Sequence, residues 1–381
     1  MQMNKFLLQK LNFFKIFIFS KFLALKRRTH LYIYKDYNPY PKLSKNINLS
    51  PSVINKNYYK GVTPKLSFEH SLLSKEDFQA NARNKIEELI SLRKNLTVTI
   101  LNTQEYVFKK KYIRKRMIIK LERNRYIPVE TLELIKNKNI KKGIMVCLQG
   151  TNSGAHLNFG ETRMPADPFK VYAGSSLAIQ AADNGYLAVS FDRIGYGERR
   201  EVELQKQSVL PVLDISLHSL ALGNTLLGET VSEIYTLIKW FKNKHNMPLW
   251  IVGYSSAGSV ASVAGALFNE YIDGICIGGC IGPFQDTILK RGATAHLEIN
   301  ECVKWFDQEI LIQLMAPRPC IIIAGNKDHI WPYSGARIIY NKSKNIYELY
   351  SSQKKLELIE AFGVHTYYPE LMWGSVNRHI K

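Results

Sequence analysis

From residue 143 onward, short unbroken apolar runs alternate with stretches of helical periodicity. The runs are Ile144–Leu148 (IMVCL), Leu187–Phe191 (LAVSF), Leu249–Val252, Ile275–Ile277, Cys320–Ala324 (CIIIA) and Leu356–Phe362. Between them, residues 175–184, 257–268 and 334–349 read as helices. Leu227, Val231, Ile234, Leu237, Ile238 and Phe241 mark one face of another. Strands that are apolar at every position are buried on both faces. Their alternation with helices predicts an α/β fold with a mostly parallel central sheet and helices on both faces. Upstream, Ser74 reads as the N-cap of a helix over 74–95, with Phe78, Ala82, Ile86 and Ile90 at helical spacing. Residues 112–135 read as an antiparallel hairpin that turns at Arg123–Arg125.

In a parallel sheet covered on both faces, ligands sit beyond the carboxyl ends of the strands. The residues that close the apolar runs are therefore expected along one edge: Thr151, Asp192, Ser255, Asp328 and His365. The sharpest segment is WIVGYSSAGSVASVAGAL (250–267), where a strand runs into Gly253-Tyr254-Ser255-Ser256-Ala257 and on into a small-residue helix. A serine nucleophile needs this layout. A tight strand-to-helix turn exposes its hydroxyl, and the residues two before and two after must be small because the turn brings them together. The helix N-terminus favours developing negative charge. Ser256 is the competing nucleophile, but Tyr254 would then fill the crowded position two before it.

A serine hydroxyl needs a base, and the base needs an orienting carboxylate. In this fold class the order along the chain is serine, acid, histidine. Asp328 after CIIIAGNK and His365 after the next strand fit that order. Asp286 is a rival acid, and His329 and His379 are rival bases. Two backbone N–H donors for an oxyanion are expected from Ser256 and from Thr151, which lies in the loop after the first parallel strand.

Charge changes the picture less than its total implies. The net charge is +20, but residues 1–60 hold ten Lys and two Arg against one acid, a net +11. The basic character belongs largely to an N-terminal extension and linker (1–60) ahead of one domain (61–381), so no nucleic-acid partner is expected. Residues 1–28 are basic and rich in Phe, Leu and Ile, yet Lys5, Lys10, Lys15 and Lys21 break every apolar run short of a membrane span. They read as an organelle-targeting segment, as a helix making peripheral contact with an anionic membrane, or as an Asn/Lys-biased extension without a role. Five cysteines, an odd number, three of them inside apolar runs, point to a reducing compartment.

Taken in order, six segments resemble the α/β-hydrolase superfamily and, more narrowly, its dienelactone-hydrolase-like and acetyl-xylan-esterase-like branch. They are VCLQGT (146–151), NGYLAVSFDRIGYGERR (184–200), LALGNTLLGE (220–229), GYSSAG (253–258), MAPRPCIIIAGNKDHIWP (315–332) and GVH (363–365). The 112–135 hairpin is similar to the antiparallel strands that open that fold. The resemblance implies a serine hydrolase that cleaves a carboxylic ester through Ser255, Asp328 and His365 and an acyl-enzyme. It further implies no metal, no organic cofactor, and a short-acyl ester of a small molecule or carbohydrate as substrate. Three positions depart from the branch. Gln149 stands where it usually has His, Ala257 replaces the usual Gly, and the nucleophile is Ser where dienelactone hydrolases use Cys. Trp331, His218 and Tyr254 are the residues expected to line the substrate. A serine peptidase or amidase of the same fold, and a binding protein that has lost catalysis, are the competing readings.

Overall fold

The computed structural model describes residues 49–380 except 95, 123, 138–140, 205–210 and 292–298, together with residues 18 and 22. Residues 1–28, with their expected membrane contact, therefore lie almost wholly outside the described residues. The chain divides into two compact units, Met1–Ile54 and Asn55–Lys381, and the sheet described next belongs to the second.

That sheet has nine strands: β1 (Thr99–Phe108), β2 (Tyr112–Leu121), β3 (Arg125–Leu134), β4 (Ile144–Leu148), β5 (Leu187–Phe191), β6 (Leu249–Tyr254), β7 (Gly274–Gly278), β8 (Cys320–Gly325) and β9 (Leu356–Ala361). Their spatial order is β1-β2-β3-β5-β4-β6-β7-β8-β9. The three leading strands are antiparallel, and β3 joins β5 antiparallel; the other six run parallel. The main helices are α1 (Lys75–Leu89), α2 (Leu177–Asp183), α3 (Leu226–His245), α4 (Ser256–Leu267), α5 (Tyr333–Leu349) and α6 (Pro369–His379). This is the mostly parallel, helix-flanked sheet expected from the apolar runs, opened by the antiparallel strands that the resemblance to the α/β-hydrolase superfamily implies.

Period-2 alternation within the parallel strands builds two cores. Ile144, Val146 and Leu148 of β4, Ile251 of β6, and Ile275 and Ile277 of β7 face a core shared with α1, α3, α4 and α5. Met145 and Cys147, Trp250 and Val252, and Cys276 face a second core closed by α2 and α6. Strands that serve both faces must be apolar throughout, which is why they read as unbroken runs. The α1 face is as the periodicity predicts, with Phe78, Ala82, Ile86 and Ile90 all at most 2% exposed. Ser74 Oγ accepts the Asp77 N–H at 3.1 Å, the expected cap.

The hairpin is β2–β3, and Asn124, directly before β3, has φ 53°. β1 and α6 escaped the reading, as did several helices outside the predicted stretches, Pro51–Lys60 and Pro211–Ala221 among them. β1 is exposed at nine of its ten positions and so shows no apolar face. α6 lies beyond the last expected motif. Among the described residues no helix is long and apolar enough to cross a membrane.

The topology also locates a crevice. β5 lies on one side of β4 and β6 on the other, so the sheet changes winding direction at β4 and the loops after β4 and β6 diverge there.

One packing contact tests the cores directly. Thr225 caps α3, accepting the Gly228 N–H at 2.8 Å and donating to the Ile90 carbonyl at 3.1 Å. A Cβ on Gly228 would overlap that same carbonyl. Alanine is otherwise the better helix former by about 1 kcal/mol. Gly228→Ala is nevertheless expected to destabilise the protein by about 1–3 kcal/mol. The reading is a lower urea midpoint at an unchanged slope, and an unmoved midpoint would show that α1 and α3 adjust without cost.

Candidate active site

β6 ends in the turn that carries Ser255. Ser255 has φ 57° and ψ −130°, a conformation that L-residues rarely adopt. Its N–H donates to the Gly278 carbonyl at 2.8 Å, and its carbonyl accepts the Ser259 N–H at 3.1 Å, the first bond of α4. The size limits follow from the tightness of the turn. A Cβ on Gly253 would stand 2.7 Å from the Ala257 carbonyl oxygen. Ala257 itself fits, so its replacement of the usual Gly is accommodated.

His365 stands on the loop after β9, and its Nε2 is 3.0 Å from Ser255 Oγ. Its Nδ1 is 2.7 Å from Asp328 Oδ2. The Asp328 side chain is fully buried, and its other oxygen accepts the N–H groups of Ile330 at 2.8 Å and Trp331 at 2.9 Å. One carboxylate oxygen is thus fixed by backbone while the other is left for the imidazole. Backbone bonds stitch the acid loop to the histidine loop: Asn326 N–H to Ala361 O at 2.8 Å and Lys327 N–H to Gly363 O at 2.9 Å. His329 is exposed, and neither it nor Asp286 touches this trio.

The loop after β4 closes against the same turn. A Cβ on Gly150 would lie 2.7 Å from the Tyr254 carbonyl oxygen and 3.3 Å from Ser255 Cβ, so glycine permits the approach. Thr151 Oγ1 donates to Ser256 Oγ at 3.2 Å. The N–H groups of Thr151 and Ser256 carry no hydrogen bond among the described residues, leaving two neighbouring donors at the mouth of the turn. Asp192 does not join the trio. Its carboxylate accepts the N–H groups of Ala155 at 2.6 Å and Glu198 at 3.0 Å and ties two loops together. Burial pushes its pKa up, and those two N–H groups oppose the rise.

The three residues expected to line the substrate are placed differently. Tyr254 is buried, its ring centroid 5.0 Å from those of both His365 and Tyr367, so it backs the imidazole. Trp331 is 3% exposed and meets Asp328 through its N–H. His218 is exposed on the helix Pro211–Ala221. Of the wall residues, only His218 faces open solvent.

Several partners were not foreseen. Gln149, where the branch usually has His, is fully engaged. Its amide nitrogen donates to Asn158 Oδ1 at 2.6 Å and to Ser175 O at 2.7 Å. Its oxygen accepts from Asn152 Nδ2 at 2.9 Å and from the Tyr367 hydroxyl at 2.8 Å. Tyr367, two residues past His365, thereby links the histidine loop to the β4 loop, and burial pushes its pKa up to about 12. Arg193, directly after Asp192, donates to Ser256 Oγ at 2.8 Å and to the Gln149 carbonyl at 2.9 Å. The signal for both was proximity to a strand-end residue already singled out. Among the described residues no cluster of three or more His, Cys, Asp or Glu is arranged to hold a metal.

No protein-family model matches the chain, and no curated protein sequence matches it. Solved structures do. One from Bacteroides fragilis, provisionally named an acetyl xylan esterase, is 16% identical, with 84% of each chain covered and a TM-score of 0.65. A glucuronoyl esterase from Solibacter usitatus is 12% identical, with 84% of this chain and 98% of that one covered and a TM-score of 0.58. A CE15 glucuronoyl esterase from Teredinibacter turnerae is 13% identical, covers 94% and 98%, and has a TM-score of 0.56. The chain shares with them the α/β-hydrolase fold.

His379, the other rival base, is engaged elsewhere: its Nε2 is 2.7 Å from Glu357 Oε1, joining α6 to β9. His379→Ala should therefore lower stability by about 0.5–1.5 kcal/mol while kcat stays at the wild-type value. Thermal unfolding and steady-state assays on the same samples check both, and a lost kcat at unchanged stability would place His379 in the site.

Proposed function

We propose that the protein is a serine esterase whose nucleophile, base and orienting acid are Ser255, His365 and Asp328. The single observation that carries this reading is the unbroken relay Ser255 Oγ–His365 Nε2, His365 Nδ1–Asp328 Oδ2 on a strained strand-to-helix turn. The named activities of the structural neighbours support ester hydrolysis as the reaction.

The chemistry follows from the geometry. His365 Nε2 takes the Ser255 proton as Oγ attacks the ester carbonyl. The carbonyl oxygen becomes an oxyanion held by the N–H groups of Thr151 and Ser256, and Asp328 stabilises the imidazolium through Nδ1–H. The tetrahedral adduct collapses, the carbon–oxygen bond to the alcohol breaks, and His365 returns its proton to the departing oxygen. Water, deprotonated by the now neutral His365, then attacks the acyl-Ser255. The second collapse releases the carboxylic acid and restores Ser255. One ester and one water give one acid and one alcohol.

The substrate is read as a short-acyl ester of a small molecule or carbohydrate, in line with the acetyl xylan and glucuronoyl esterase names of the neighbours. The basic N-terminal extension is read as an address or a membrane-surface tether, separate from catalysis. Tyr59 nevertheless falls on the domain side, its hydroxyl donating to Asp307 at 3.2 Å. The five cysteines are all free thiols, consistent with a reducing compartment.

A fluorophosphonate probe should label Ser255 and no other serine. Ser255→Ala should lower hydrolysis of a nitrophenyl acetate by about 10³-fold or more with the fold intact. His365→Ala should remove nearly all the rate. Labelling at Ser256 in place of Ser255, or an unchanged rate in His365→Ala, would overturn the assignment. Faster turnover of an octanoyl than an acetyl ester, or of an anilide than either, would reject the short-acyl ester.

A chain starting at Asn55 should keep wild-type kcat and lose binding to anionic phospholipid vesicles. Equal vesicle binding by both chains would reject the tether.

A further inference from the structure

The buried arginines of this protein are not equivalent. Arg114, 2% exposed, is paired with Glu130 and Glu161, and Arg199 is paired with Glu233 through two bonds. Arg193 is 5% exposed and has no carboxylate within ion-pair distance among the described residues. Its neighbour Asp192 is occupied by the N–H groups of Ala155 and Glu198. The guanidinium's direct contacts are neutral: the Gln149 carbonyl at 2.9 and 3.2 Å, Ser256 Oγ at 2.8 Å, and the face of Tyr196 with its centroid 4.6 Å away, the Asp192 carboxylate acting on it only at longer range. Burial lowers its pKa, yet an arginine side chain keeps its proton.

A buried cation without an ion-pair contact is costly, and folding alone gives no reason to place one here. Its two oxygen partners belong to the two segments that supply the free N–H donors. By holding the Gln149 carbonyl, the guanidinium fixes the peptide that leads through Gly150 to Thr151. By holding Ser256 Oγ, it keeps that hydroxyl at the first turn of α4, whose N–H groups face the reacting oxygen. We infer that Arg193 is a positioning residue of the hydrolytic site: it aligns the Thr151 and Ser256 donors and holds a positive charge behind them that is matched when the tetrahedral oxyanion forms. This inference rests on the esterase reading and adds to it a residue from a third strand end. The charge is preorganised, which makes it selective for the transition state over the neutral ester.

The test uses the full chain with Arg193→Met, Arg193→Lys and Ser256→Ala, assayed on nitrophenyl acetate and titrated with a fluorophosphonate to count competent Ser255. Arg193→Met should lower kcat per competent site by about 10²–10³-fold, the range for loss of one oxyanion-hole element, with KM within about threefold. Arg193→Lys keeps the charge and should recover at least about tenfold of that loss. Added guanidinium at millimolar concentration should raise the Met variant and leave wild type unchanged. Ser256→Ala keeps Arg193 and its Gln149 anchor but removes the other, and should cost kcat about tenfold. That last variant and the Lys variant decide the matter if the Met variant does not fold.

A purely structural arginine would give the opposite pattern: lower melting temperature in both Arg193 variants with wild-type kcat per competent site. That result, or an unchanged kcat in Ser256→Ala, overturns the proposal. Wild-type protein that neither hydrolyses the ester nor takes the label would instead refute the esterase reading, and this inference would fall with it.

Discussion

The constraint on which the site depends is the backbone of Ser255. A non-glycine residue at φ 57° and ψ −130° costs about 1–3 kcal/mol and persists only where its surroundings leave no alternative. Here the surroundings are specific. Gly278 takes its N–H, Ser259 takes its carbonyl into α4, and Gly253, Gly150 and Ala257 leave just enough room for three backbones to meet. Relaxing the turn would pull Ser255 Oγ away from His365 and would also lose the register of α4 against β6. The site and the packing of the central sheet are therefore one arrangement.

The parallel half of the fold was legible because strands shared by two cores must be apolar at every position. The elbow and its partners were legible because chemistry dictates their types, their order and their place at strand ends. What stayed hidden has physical reasons. β1 lies at the margin of the sheet and carries Thr99, Asn102, Gln104 and Glu105 beside Ile100 and Leu101, so alternation gives it no face. The roles of Gln149, Tyr367 and Arg193 arise from contacts between residues up to 218 positions apart, which no local pattern encodes. Tyr254 and Trp331 were expected to line the substrate because of their position beside the catalytic loops. Both are buried: the Tyr254 ring packs against His365, and Trp331 holds Asp328 through its backbone N–H.

The antiparallel strands do more than extend the sheet. Arg114 and Arg116 of β2 reach Glu130 of β3 and continue to Glu161 and Glu198, in the loops after β4 and β5. Glu198 in turn gives its N–H to Asp192, which receives the Ala155 N–H as well. A chain of charge-assisted bonds thus runs from the hairpin to the loops on which Arg193 and Thr151 stand. Such pairs, half to fully withdrawn from water, add geometric definition more than net stability. The lead strands act as a brace for the loops around the elbow.

The connections between strands divide their labour. The trio and its donors come from the short stretches directly after β4, β6, β8 and β9, and Arg193 from the first two residues after β5. The longer excursions, whose described residues are 200–204 and 211–224 after β5 and 282–291 and 299–317 after β7, supply none of them. Lengthening a surface loop costs only about 0.6 kcal/mol per doubling, but the stretch after β7 also buries Phe284, Phe306, Ile310 and Leu314 in the core, so only the stretch after β5 can be rebuilt at that low cost. The proposed reacting groups and the excursions are separate pieces of chain. The scaffold is therefore open in one direction: the stretch after β5 can be exchanged while the proposed reacting groups stay where the strands put them.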